Sequence, residues 1–215
     1  MNKNTLQTSF LETRDYEVSL NIQRKLHDDI ANDKATSTVL FAEHAPVITL
    51  GKHASQNDVL MSPKDLLASG IRLFQIDRGG QATAHEPGQL VIYPLIKLRT
   101  FHLGSKQLVH ALEETVIELL RSYSICAHRE ECYPGVWVRN EKICSIGLRI
   151  RDGVSYHGLA LNVCNSLETF KSIIPCGIQD RGLTSISKIT NQDVQVFEPA
   201  QAFLDIFGRI LEPNS

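Results

Sequence analysis

Apolar residues recur at helical spacing in several stretches of this 215-residue chain and alternate or run together in others. Across 15–31, Leu20, Ile22, Leu26 and Ile30 stand among polar neighbours, which predicts an amphipathic helix. Residues 38–43 and 47–50 read as two strands around the turn-forming His44-Ala45-Pro46. Pro63 opens a short helix that Gly70 ends, and 71–76 is a strand leading into Arg78-Gly79-Gly80. An apolar strand over 90–95 precedes a strong helix over 108–120, with Leu108, Leu112, Val116, Leu119 and Leu120 on one face. Three further strands are predicted over 135–139, 143–151 and 155–163. Glu141-Lys142 is the expected turn between the first two, and Asp152-Gly153 the expected hairpin turn between the last two. A loop through Pro175-Cys176-Gly177 and a helix over about 197–211, begun by Glu198-Pro199, complete the chain.

Strands cluster and helices flank them without strict βαβ alternation, so the expected class is α+β, a mixed sheet with flanking helices. No repeat, low-complexity tract or Gly/Ser linker divides residues 1–215, and one continuous domain is expected. An apolar fraction of 42% with 21% charged residues suits a soluble globular protein. A net charge of −2 argues against a nucleic-acid partner. No apolar run is long enough to span a membrane, and the first residues lack the apolar core of a secretory signal, so a cytoplasmic location is expected.

Five cysteines, at 126, 132, 144, 164 and 176, have irregular spacing and no CxxC pair, which points to reduced thiols rather than a disulfide framework. Cys126, His128 and Cys132 are too irregular to predict a metal site. Cys144 and Cys164 lie in apolar strand patterns, whereas Cys176 sits between Pro175 and Gly177 in a constrained loop. An unperturbed thiol with a pKa of about 8.5 is only about 3% thiolate at pH 7, and a fall of roughly two units raises that to about three quarters. A nearby ammonium is a sufficient cause. Spacing alone does not choose the lysine or histidine, and a lysine beside a turn, such as Lys142, is ordinarily a solvated charge.

The segment from Arg78 to Gln89 combines a glycine pair with Arg, Thr and His, and reads either as a pocket-lining loop or as a solvated one. It carries neither GxxxxGK[ST] nor GxGxxG, so nucleotide binding is not indicated. In Tyr156 to Val163, alternation puts His157, Leu159 and Leu161 on one face, with Gly158, Ala160 and Asn162 on the other.

Together these segments resemble the lipoyl(octanoyl) transferase family. Its RGGxxTxHxPGQ is met by Arg78 to Gln89, its PGVWV by Pro134 to Val138, and its K-I-x-x-I-G by Lys142 to Gly147. HGLALNV is unbroken at His157 to Val163, PCG stands at Pro175 to Gly177, and His44 to Gly51 resembles HxPVxTLG. The resemblance implies the fold of lipoate and biotin protein ligases, with a large and a small sheet. It implies that Cys176 carries the acyl group and Lys142 lowers its pKa and moves protons. Arg78, Gly79, Gly80, Gln81, Ala82, Thr83, Ala84 and His85 then line the acyl pocket with Ser145, Ile146, Gly147, Gly158, Leu159 and Ala160. The implied donor is octanoyl-acyl carrier protein. The implied acceptors are lipoyl domains of 2-oxoacid dehydrogenase E2 subunits and the glycine cleavage H protein. No cofactor or metal is implied, and a monomer is expected. Alternatives are an ATP-dependent lipoate or biotin ligase and a catalytically silent acyl-binding protein. Two positions depart from the family's T-Y-H-G-P-G-Q: Ala84 replaces the aromatic, which is expected to widen or shift the pocket wall, and Glu86 replaces a glycine.

Overall fold

A computed structural model describes residues 6–131, 133–174 and 181–212. Its organising element is an eight-stranded mixed sheet built from β1 (Gln7–Phe10), β2 (Thr38–Ala42), β6 (Gln89–Leu95), β7 (His128–Arg129), β8 (Gly135–Val138), β9 (Glu141–Arg151), β10 (Val154–Asn162) and β11 (Gly182–Leu183). The strands lie in the order β1-β2-β6-β10-β9-β8-β7, with β11 beside β9. The β1–β2 and β11–β9 pairs are parallel and the others antiparallel. A separate three-stranded sheet has the order β4-β3-β5, from β3 (Val47–Leu50), β4 (Arg72–Gln75) and β5 (Ala82–His85). The expected α+β class, with a large and a small sheet flanked by helices, is therefore observed.

Both faces of the large sheet are covered. Helices α3 (Ser105–Ser122) and α5 (Ala200–Leu211) bury Leu108, Leu112, Phe203 and Phe207 against Phe41, Leu90, Ile92, Leu159 and Leu161. Helix α1 (Tyr16–Ala31) packs Ile30 on the opposite face, against Leu40, Val91, Tyr93 and Ala160. A strand covered on both sides needs no polar alternation, which explains the continuous apolar run in β6.

The Asp15 carboxylate caps α1, accepting from Glu17 N at 2.8 Å and Val18 N at 3.1 Å. Its buried face differs from the one that hydrophobicity predicts. Ile22 is exposed, while Ser19, Gln23 and His27 are buried with Tyr16, Leu20 and Ile30. The cause is the sheet beneath: Gln23 Oε1 accepts the amide of His157 at 3.1 Å, and His27 Nε2 donates to Arg151 O at 3.0 Å.

The His44-Ala45-Pro46 turn is a corner between the two sheets, because β2 pairs in the large sheet and β3 in the small one. Under the small sheet, Ile48, Leu50, Ala82 and Ala84 pack against Phe170, Ile173 and Leu66 of α2 (Pro63–Ala68). A short helix α4 (Ile186–Thr190) follows β11. The turn after β8 lies at Arg139-Asn140, with Arg139 at φ 54°, rather than at Glu141-Lys142. Lys142 is consequently a strand residue. Asp152 (φ 50°) and Gly153 (φ 73°) form the expected hairpin turn between β9 and β10.

Candidate active site

The stretch from Arg78 to His85 is only partly loop. Arg78 is buried, donating from Nη2 to Thr49 O at 2.7 Å and from Nη1 to Gly79 O at 2.9 Å. These bonds satisfy much of a guanidinium that would otherwise be costly to bury. Gly79 N donates to Leu148 O at 3.0 Å, joining the small-sheet loop to β9. The approach is close: a Cβ on Gly51 would stand 2.3 Å from Gly80 O, and one on Gly147 3.0 Å from Arg78 Cδ.

Strand β5 then divides its side chains by period two. Thr83 and His85 face a cavity between the sheets, while Ala82 and Ala84 join the apolar cluster beneath the small sheet. The cavity, about 50 Å³, is lined by Arg78, Gly80, Gln81, Thr83 and His85 from one side and Ser145, Ile146, Gly147, Gly158, Leu159 and Ala160 from the other. Gly79 lines the adjoining cleft instead. The Ala84 departure therefore does not form a cavity wall. Glu86, the other departure, is buried and outside the left-handed region; the positive φ belongs to Gly88, at 87°.

Tyr16, Val91, Tyr93 and His157 also line the cavity, and sequence reasoning missed all four. Tyr16 stands in the first turn of α1, where an apolar pattern does not distinguish core from cavity. His157 escaped because alternation fails there. Its φ of 56° turns it to Asp77, with Nε2 3.0 Å from Oδ1, away from the face where Leu159 and Leu161 pack.

Burial depresses the nearby imidazoles: His85 to about 3, further lowered by neighbouring His44, and His44 and His157 to about 4. The Asp77 hydrogen bond opposes this shift at His157 without overcoming it. At neutral pH all three are uncharged. His85 Nδ1 donates to Gln89 Oε1 at 2.7 Å, and His44 Nε2 lies 2.6 Å from the Tyr93 hydroxyl. Asp77 is held at about 2: burial works to raise it, but hydrogen bonds from Tyr156 and His157 prevail.

The cavity adjoins a cleft of about 840 Å³, which shares Gly80, Gln81, Ile146 and Gly147 with it. Lys142 lines this cleft, yet is only 5% exposed. Its Nζ donates to Pro134 O at 3.2 Å and stands 4.8 Å from the Trp137 ring centre. The expectation of a solvated turn lysine is overturned by a register shift between Val136 and Trp137, which lets β9 begin at Glu141. Gly135, at φ 126°, permits the close pairing, since a Cβ there would lie 2.4 Å from Cys144 O.

Among the described cysteines, Cys144 is wholly buried and its thiol is pushed up by burial, fitting a core role; Cys126 and Cys164 are exposed. Cys176 and Cys132 lie outside the described residues, so neither the acyl-carrying assignment nor the Cys126-His128-Cys132 group has a geometry here. The chain on both sides of 175–180 is described. Ile174 N donates to Asp58 O at 2.8 Å, and Leu183 of β11 pairs with Lys142.

Residues 15–208 match the family described as the lipoyl protein ligase A/B catalytic domain. The chain is 43% identical over 197 residues to an octanoyltransferase of Alkaliphilus metalliredigens, covering 91% of this chain and 90% of that one. It is 41% identical over 215 residues to an octanoyltransferase of Chloroflexus aurantiacus, covering 98% and 96%. Among solved structures, lipoate-protein ligase A bound with ATP aligns at a TM-score of 0.77 with 17% identity, over 95% of this chain and 85% of that one. Biotin protein ligase of Aquifex aeolicus in complex with biotin and ATP aligns at 0.59 with 18% identity, over 95% and 70%.

Proposed function

The chain belongs to the lipoyl protein ligase A/B catalytic family, and from that premise we propose that it is an octanoyltransferase acting through a Cys176 thioester. The observation that carries this reading is the position of Lys142. It is a buried ammonium lining the cleft, and its strand partner, Leu183, follows the cysteine segment closely in the chain.

In the first half-reaction the Cys176 thiolate attacks the thioester carbonyl of octanoyl-acyl carrier protein. The thioester bond to the donor breaks, and the phosphopantetheine thiolate leaves with a proton supplied by Lys142. In the second, the neutral amine of a lipoyl-domain lysine attacks the acyl-enzyme. Amide formation releases the Cys176 thiolate, and the amine's proton passes to Lys142. Thioester to amide is downhill, so the transfer consumes no ATP. The apolar walls of the cavity and the adjoining cleft, from Val91, Ile146, Leu148 and Leu159, suit the alkyl tail, which gains about 0.8 kcal/mol per buried CH₂. The amide of Gly80 in the glycine-rich loop is a candidate oxyanion donor, that of Gly79 being taken by Leu148 O, and such a donor contributes about 3 kcal/mol. A cytoplasmic monomer serving the E2 lipoyl domains and the glycine cleavage H protein fits this reading.

A ligase activating the free acid with ATP shares the fold. Identity of 41–43% to octanoyltransferases, against 17–18% to the ligases above, favours transfer. Intact-mass measurement after incubation with octanoyl-acyl carrier protein tests the proposal. One octanoyl increment on wild type, absent in Cys176→Ser, is expected. An unmodified wild type, or pyrophosphate release from octanoate and ATP, overturns it.

A further inference from the structure

A buried polar network joins the segments before and after residues 175–180. Its hub is Asn162, at the end of β10 and 3% exposed. Asn162 Oδ1 accepts from Gln89 Nε2 at 2.9 Å and from Asn165 Nδ2 at 3.2 Å, while its Nδ2 donates to Thr184 O at 2.9 Å. Thr184 N in turn donates to Lys142 O at 3.1 Å.

Glu86 extends the network on the upstream side. Its buried carboxylate accepts from Asn165 Nδ2 at 3.1 Å, from Thr169 N at 2.8 Å and from Leu167 N. The strap it holds continues through a 3-10 helix at Thr169–Ser172, whose Phe170 packs beneath the small sheet. At the far end Leu60 N donates to Ser172 O, and Ile174 N to Asp58 O, both at 2.8 Å.

We infer that Asn162 and Glu86 are positioning residues, which anchor the described chain on both flanks of the cysteine segment and thereby set how strongly Lys142 activates the Cys176 thiol. The inference rests on the Cys176–Lys142 reading above. Its physical basis is that buried hydrogen bonds hold main-chain atoms on each side of the segment. An Asn has both the acceptor and the donor needed to grip two segments at once. A carboxylate accepting several N–H groups fixes a bend that the glycine of the family pattern cannot hold through its side chain. Glu86 thus turns a departure from the pattern into an anchor found in this chain.

The test is the pH midpoint for iodoacetamide modification of Cys176, followed by peptide mass spectrometry, alongside kcat and KM for octanoyl-acyl carrier protein. Asn162→Ala is expected to move the midpoint upward, towards that of Lys142→Ala. It should lower kcat at least about tenfold while KM changes less than about threefold, the split expected when a reacting group is misplaced rather than substrate binding lost. Glu86→Gly should shift the midpoint the same way by a smaller amount, and Glu86→Gln, which keeps one acceptor oxygen, should recover part of it. Folded Asn162→Ala with a wild-type midpoint and kcat overturns the inference. If Asn162→Ala does not fold, folded Glu86→Gly decides: a raised midpoint supports the inference and an unchanged one overturns it. A wild-type midpoint in the ordinary thiol range instead overturns the Cys176–Lys142 reading itself, before any variant is made.

Discussion

Lys97, just past the end of β6, and Lys142, in β9, are both buried lysines, 7% and 5% exposed. Lys97 reaches the C-terminal end of α1, where its Nζ donates to Ile30 O at 3.1 Å, Ala31 O at 3.2 Å and Asp33 Oδ1 at 2.6 Å. That is the end of a helix where a cation is favoured. Lys142 lies between Pro134 O and the Trp137 face and lines a cleft. On the reading proposed above Lys142 is reactive and Lys97 structural, and burial alone does not distinguish them. What the ammonium faces does.

The sharpest way to break this contrast is to truncate each lysine. Lys142→Ala should lower kcat by about 10²–10⁴-fold, the usual range for losing a positioned acid–base group, as steady-state octanoyl transfer would read. Lys97→Met should leave kcat per folded molecule within about twofold while costing about 1–3 kcal/mol in urea unfolding, since the Ile30 and Ala31 carbonyls lose a buried donor. Equal losses of kcat in both variants would erase the distinction.

Acidification should separate the two environments next. His44, His85 and His157 have folded-state values of about 4, 3 and 4, below the unfolded value of about 6.5. The unfolded chain then binds more protons than the folded one below pH 6.5, so stability is complete above that value and falls as pH drops towards 4. Each histidine contributes at most about 1.4 kcal/mol per pH unit across that window. Thermal melts at pH 7, 6 and 5 should show a falling Tm, with a shallower fall in His85→Gln. A pH-independent Tm would contradict neutral burial around the cavity.

A similar division runs along β5. Ala84→Phe should cost about 1–3 kcal/mol by overpacking the cluster of Ile48, Leu50 and Phe170, without changing acyl-chain preference. Competition among carrier-bound chains of different length checks this, and an altered preference would return Ala84 to the cavity wall. The smallest effect is expected at Arg99, whose exposed guanidinium shares Asp33 with Lys97. Arg99→Ala should leave both Tm and transfer rate within error, because exposed ion pairs contribute little.

Much of this architecture was legible from local rules. Pro63 and Gly70 bracket α2, the hairpin at Asp152-Gly153 stands where its turn chemistry put it, and the apolar run at 90–95 lies in β6. Of the residues that the motifs singled out, Arg78, Thr83, His85, Ser145 to Gly147 and Gly158 to Ala160 line one cavity. Three features were not. The buried face of α1 includes Gln23 and His27 because their partners lie on β10 and β9. His157 leaves its alternation because its backbone is left-handed. Lys142 is buried because the turn lies at Arg139-Asn140 and the register shift beside it falls at Ile143 of β9.

The sequence by itself determined the family, the order of the elements and the motifs whose residues line the cavity, because motifs, periodicity and turn preferences are local. Only the tertiary structure decided that β2 and β3 part into different sheets, that Ala82 and Ala84 face away from Thr83 and His85, and that Asn162 ties Asn165 to Thr184. Those outcomes depend on pairing and packing between residues far apart in the chain. Whether Lys142 is a solvated charge or a buried ammonium is set by the neighbours it meets after folding, not by its identity.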